Sequence, residues 1–114
     1  MTQARRGNSF EKAFLEAVDE GLSMLGESGR DVVYLRLQTT YAIKREDIIS
    51  NLEIFAQCLR KIFGSGAEVI EKAIIKSLYG KLGMKFVEKK GYGFLEYLNE
   101  AKSAVAVKEI HRAN

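Results

Sequence analysis

Residues 50–83, SNLEIFAQCLRKIFGSGAEVIEKAIIKSLYGKLG, decide the fold. Two apolar-periodic segments meet at Gly64-Ser65-Gly66 with almost nothing between them. In the first, Leu52, Phe55, Ala56, Leu59, Ile62 and Phe63 recur at three and four, the spacing of one buried helix face. The second carries Ala67, Val69, Ile70, Ala73, Ile74, Ile75, Leu78, Tyr79 and Leu82, too many apolar residues for a single face. Its charges, Glu68, Glu71, Lys72 and Lys76, fall on a narrow seam. A helix with so little polar perimeter must be covered on two sides or more. Ser50 with Glu53 and Ser65 with Glu68 fit the Ser-x-x-Glu capping box, which would satisfy backbone N–H groups lacking a partner in the first turn. Gly64 and Gly83 stand where each helix must stop in a left-handed residue. The expectation is an all-α, compact bundle of about five helices around a central hydrophobic helix, residues 66–82.

Outward from that pair, the chain is helical in both directions. Phe10, Ala13, Phe14, Ala17, Val18, Gly21, Leu22 and Leu25 keep the three-four spacing, with Asn8 and Glu11 as a further capping pattern and Gly26 as the stop. Gly21 on that face would admit a neighbouring backbone, at about 1 kcal/mol of helix propensity relative to alanine. Residues 28–41 are ambiguous. Val33, Leu35 and Leu37 alternate like a strand, whereas the Ser28–Asp31 cap and the Val33, Leu37, Tyr41 spacing favour a helix. A lone strand would leave its backbone groups unpaired, so helix is the reading. Residues 43–49 suggest one helical turn anchored by Ile43 and Ile48. After Gly83, the glycines around Tyr92 make a flexible, exposed turn. Phe94, Leu95, Leu98 and Ala101 then define a shorter last helix. Residues 1–8 are expected as a mobile arm, 9–103 as a single helical domain, and 104–114 as a frayed tail.

Length and composition fit one soluble domain able to bury a core without metal or disulfide. The 114 residues include no proline, and the single cysteine, Cys58, excludes an internal disulfide framework and fits a reducing, cytoplasmic compartment. No stretch approaches a membrane span. Charge is uneven: residues 71–90 hold six lysines against Glu71 and Glu88, although the whole chain carries only +3.

Ile43-Lys-Arg-Glu-Asp-Ile48, Phe55 to Phe63-Gly-Ser-Gly-Ala67, and Ser77-Leu-Tyr-Gly-Lys-Leu-Gly83 resemble a family of small archaeal helical domains, the Nitrosopumilus output domain. The similarity covers roughly residues 9–103. It rests on core and corner positions, so it implies a fold and a role as an effector module, and it brings no catalytic residues.

The residues themselves offer little chemistry. Cys58 lies near the edge of a buried stripe and reads as a small apolar side chain; the sole histidine, His111, sits in the tail. One cysteine and one histidine cannot build a four-ligand zinc site, and the carboxylates show no calcium-loop order. Gly64-Ser65-Gly66 lacks the lysine of a phosphate-binding loop, and residues 67–78 are too apolar to read base edges as a recognition helix. No catalytic, cofactor or metal site is therefore expected. The candidate site is the basic segment Lys76, Lys81, Lys85, Lys89 and Lys90 with Tyr92, where lysines could contact phosphates and an aromatic ring could stack a base. The expected function is a non-catalytic protein-interaction or regulatory module, with a protein partner or self-association into a homodimer. Leu15, Met24 and Ile54, outside the main stripes, would supply the apolar patch. Nucleic-acid or polyanion binding through residues 76–90 is the alternative.

Overall fold

A computed structural model describes residues 6–113, with side chains described over residues 10–108. The helices are α1 (Arg6–Ser23), α2 (Gly26–Tyr41), α3 (Leu52–Phe63), α4 (Ala67–Lys81) and α5 (Phe94–Ala113). Short 3-10 turns at Arg45–Ser50 and Gly64–Gly66 lead into α3 and α4. The described residues contain no strand, and the all-α bundle expected from the sequence is what forms. Residues 28–41 are helical, as the Val33, Leu37, Tyr41 spacing requires; Val33 and Leu37 are fully buried.

The molecule measures 45 × 38 × 22 Å, and its short dimension is that of two helix layers. The centre is a pair of helices rather than α4 alone. α1 and α4 form the most extensive contact, α2 and the Arg45–Ser50 turn pack on α1, and α3 and α5 flank α4. Phe14, Val18 and Leu22 of α1 meet Ile74 and Leu78 of α4, with Phe55, Leu59 and Leu98 completing the core. Gly21 explains the close crossing. A Cβ there would lie 2.4 Å from Ile74 Cγ1 and 3.1 Å from the Ile74 backbone nitrogen, so only glycine lets α4 come so near.

The helix ends correct several sequence expectations. Neither Ser50 nor Ser65 caps a helix: α3 begins after Asn51 and α4 after Gly66, both without a side-chain cap. The 3-10 turns supply the reason. The Gly64–Gly66 turn feeds directly into α4, and its Gly64 and Ser65 carbonyls accept the Ala67 N–H. The Arg45–Ser50 turn ends one residue before α3, where the Asn51 carbonyl accepts the Phe55 N–H. α1 begins two residues before Asn8, and α2 starts at Gly26, with no side-chain cap from Ser28. One reciprocal half of a capping box does form, where Glu96 Oε1 accepts the Gly93 N–H at 2.8 Å ahead of α5.

All three glycines placed as helix stops have positive φ, Gly26 at 81°, Gly64 at 58° and Gly83 at 72°. At Gly83 the chain closes a Schellman motif: Met84 N–H donates to the Tyr79 carbonyl at 2.8 Å and Gly83 N–H to Gly80 at 3.2 Å. α2 also ends on a left-handed residue, here one with a side chain, whose N–H donates to the Gln38 carbonyl at 3.1 Å. Ala42 adopts φ 58°, ψ 37° while Ile43 N–H reaches the Leu37 carbonyl at 3.1 Å. The burial of Ile43 and Leu37 holds this strained residue in place.

The terminal segments differ from expectation as well. Residues 1–5 of the expected arm lie outside the described residues, and 6–8 belong to the first turn of α1. Residues 104–113, expected as a tail, continue α5. No glycine or proline interrupts them, Val105 packs on the core, and Lys108 Nζ donates to the Leu82 carbonyl at the end of α4, 3.3 Å away.

Candidate functional site

The sequence places Glu71 on a solvated seam; the fold buries it. Glu71 follows Ala67 and precedes Ile75 by one turn each, so it belongs to a file of α4 that packs inward. The residue is only 6% exposed. Its Oε1 lies 3.7 Å from Arg60 Nη2 of α3, too far for a hydrogen bond, and Oε2 has no partner at all. Burial pushes this carboxyl above the usual range, Arg60 opposes the shift, and Glu68 adds to it.

Glu71 stands on the wall of a cleft of about 230 Å³ between α3, α4, α5 and the loop that precedes α5. Glu68, Lys72 and Ile75 share the α4 face with it, as their three-four spacing dictates. The opposite walls are aromatic, made by Phe86 and Tyr92 of the loop and by Phe94 and Tyr97 of α5. These rings are mutually packed: centroids lie 5.1 Å apart for Tyr92 and Tyr97, and 5.3 Å for Phe86 and Tyr97.

The loop over residues 84–93 is pinned by those rings, which corrects its reading as a flexible turn. Tyr97 Oη accepts the Lys89 N–H at 2.8 Å, and Phe86 sits edge-on to Tyr79 at 5.6 Å. Tyr79 is buried and its hydroxyl hydrogen-bonds Glu100 Oε1 at 2.6 Å; burial and the neighbouring carboxylate push its pKa up. The cleft thus has an acidic floor, a rigid helical side and an aromatic loop side. Such a site can accept a hydrogen bond or a positive charge on Glu71 while stacking a flat or apolar group against the rings.

The lysines singled out from the sequence are not a free electrostatic field. Lys81 pairs with Glu20 at 2.7 Å and lies 3.7 Å from Glu16, both on α1. Lys89 pairs with Glu100 and lies over the Tyr92 ring, 5.2 Å from its centroid. Lys72, also in the basic stretch, pairs with Glu88. Lys76 sits 5.9 Å from the Phe86 centroid. Among the described residues Lys76, Lys85 and Lys90 have no ion pair. Tyr92 is exposed at the cleft mouth, so one of the six candidate residues belongs to the site that the fold does build.

The other candidates resolve simply. Cys58 is buried, which raises its thiol pKa, and the His111 side chain lies outside the described residues. No three His, Cys, Asp or Glu side chains gather to hold a metal among the described residues. Leu15 and Ile54 pack partly against the core rather than forming a patch; of the three, Met24 alone is exposed. It borders a shallow groove with Val69 and Ala73. Among the described residues no helix is long and apolar enough to cross a membrane.

Glu71 left one signal in the sequence: a carboxylate inside the apolar i, i+4 file Ala67, Glu71, Ile75. The aromatic walls left none, because Phe86 and Tyr97 are brought together only by the fold. A comparison of the chain with protein-family models, with curated proteins and with solved structures finds no match.

Proposed function

We propose that the chain is a non-catalytic interaction module of regulatory type, acting in a reducing cytoplasm, which engages its partner through the Glu71 cleft. The observation that carries this reading is the buried Glu71 Oε2, an acceptor left without a donor on the α4 wall of a cleft whose other walls are aromatic. Such an orphan costs about 1–3 kcal/mol, and a partner's donor entering the cleft recovers much of it. The pinned loop gives the site a means of response. A group wedged against Phe86 or Tyr92 displaces the segment held by the Tyr97–Lys89 hydrogen bond. The resemblance to the output-domain family agrees with an effector role.

Amide chemical shifts of the full chain, followed while capped amino acids and short peptides of varied side chain are added, test the proposal. Saturable shifts gathered at Ile75, Tyr92, Gly93 and Tyr97 are expected. Shifts scattered over the surface, or none, count against it. Sedimentation velocity at micromolar protein tells whether the partner is a second copy.

A second reading, polyanion binding, draws on Lys76, Lys85 and Lys90, which have no carboxylate partner among the described residues. Passage through a heparin column at low salt without retention would remove it.

A further inference from the structure

We infer that the cleft takes an organic ammonium group, with Glu71 as its counter-ion and the loop and α5 rings as its cage. The inference rests on the binding role proposed for this cleft and goes further, to the chemistry of what enters. An ionised carboxylate can only accept, so whatever satisfies Oε2 must bring a donor or a positive charge. Phe86, Tyr92 and Tyr97 line the cleft, and a cation gains most from an aromatic ring where water is excluded. Two of these rings already attract ammonium groups of the chain itself, Lys89 over Tyr92 and Lys76 over Phe86. A compact cation therefore finds at one place a buried counter-charge and ring faces, the two features that discriminate it from a neutral molecule of the same shape.

The other charges around Glu71 permit this. From α3 it is faced by Arg60, whose side chain is mostly in solvent and makes no hydrogen bond to it, so the guanidinium can yield to a ligand. From α4, Lys72 is neutralised by Glu88 while Glu68 adds negative potential. The loop and α5 contribute the rings of Tyr92, Phe94 and Tyr97. Binding requires an ionised Glu71. Because burial and Glu68 raise its pKa, affinity should weaken as pH falls through that raised value.

Choline and its neutral carbon isostere, 3,3-dimethylbutan-1-ol, test the claim on the full chain by amide chemical shifts and calorimetry. Choline is expected to saturate the cleft resonances with at least about tenfold higher affinity than the alcohol. That preference should vanish in Glu71→Gln, which keeps the shape and removes the charge. It should shrink in Tyr92→Ala, whose exposed side chain can be lost without unfolding the chain. A peptide bearing trimethyllysine, set against the same peptide bearing acetyllysine, separates the two sources of such a cation. Tighter binding of the trimethyllysine peptide than of choline assigns the cation to a partner protein, and the reverse assigns it to a free amine. Equal binding of choline and the alcohol overturns the ammonium inference and leaves the cleft as a binding site. No shift from any of the four probes overturns both.

Discussion

Asp19 and Glu71 each face an arginine, on opposite flanks of the central helix pair, and their surroundings have opposite consequences. Asp19 of α1 accepts two hydrogen bonds from Arg45, at 2.6 and 3.1 Å, and a third from the Tyr34 hydroxyl. Burial would raise its pKa, but the Arg45 and Tyr34 hydrogen bonds and the charges of Arg45 and Arg30 outweigh that and lower it. Both carboxylate oxygens have donors, and the cluster ties α1, α2 and the Arg45–Ser50 turn together. Glu71 has one distant arginine, one orphan oxygen and a raised pKa. The first arrangement spends its polar groups on holding helices in place. The second leaves an acceptor without a donor beside a cavity, the feature on which the proposed binding role rests.

The largest way to break the packed flank is Gly21→Val. The new side chain would drive into Ile74, where backbone as well as side-chain atoms are in the way. A loss of about 2–3 kcal/mol is expected, read as a lower urea midpoint at unchanged slope. Cleft binding should persist in the folded fraction, since Ile74 is not among the residues that line the cleft.

Asp19→Asn comes next. It removes the charge that Arg45 and Tyr34 address, and with the pair partly open to solvent the expected cost is about 1 kcal/mol. Its signature is the pH dependence. The folded Asp19 releases its proton more readily than the unfolded one, so its contribution is complete above the ordinary value of 3.8 and is lost as pH falls through the lower folded value. Urea melts at a series of acidic pH values should show that this portion of the acid destabilisation is missing from the variant.

Glu71→Gln sharpens the contrast by reversing the sign. The folded protein holds the Glu71 proton more tightly than the unfolded chain does. Stability therefore falls as pH rises from the ordinary 4.5 toward the raised folded value, and then levels off. The amide should leave the protein as stable at neutral pH or more so, by up to about 1 kcal/mol, and the downward slope should disappear from the same melts. A marked destabilisation by Glu71→Gln would mean that this carboxylate is as structural as Asp19.

Ala42→Gly is the smallest. It relieves the left-handed alanine at the end of α2 and should raise stability by about 0.5–1 kcal/mol without touching either carboxylate. Its effect should add to that of Glu71→Gln, because the two share no partner.

Helices, corners and most of the core were legible in the sequence because they rest on local spacing. The α1 stripe, Val33 and Leu37 in α2, and the glycine stops at Gly64 and Gly83 follow from periodicity and from which residues tolerate positive φ. Gly21 was legible as a close approach, though not the residue that approaches it. The capping serines misled because the pattern fits equally well a chain that enters the helix through a 3-10 turn, where backbone carbonyls do the same work. The lysine cluster was legible, but the pairing of Lys81 with Glu20 and of Lys89 with Glu100 was not, because those partners are distant in sequence.

By itself, then, the amino-acid sequence determined an all-α chain, its five helices and the apolar faces that must be buried, since each depends on residues within a few turns of one another. Only the tertiary structure decided that α1 and α4 form the centre, that the basic loop is tied down, and that Glu71 is buried without a donor on a cleft lined by four rings. Those outcomes depend on which faces meet, and hydrogen bonding and charge pairing between segments far apart in the chain are fixed only once they do.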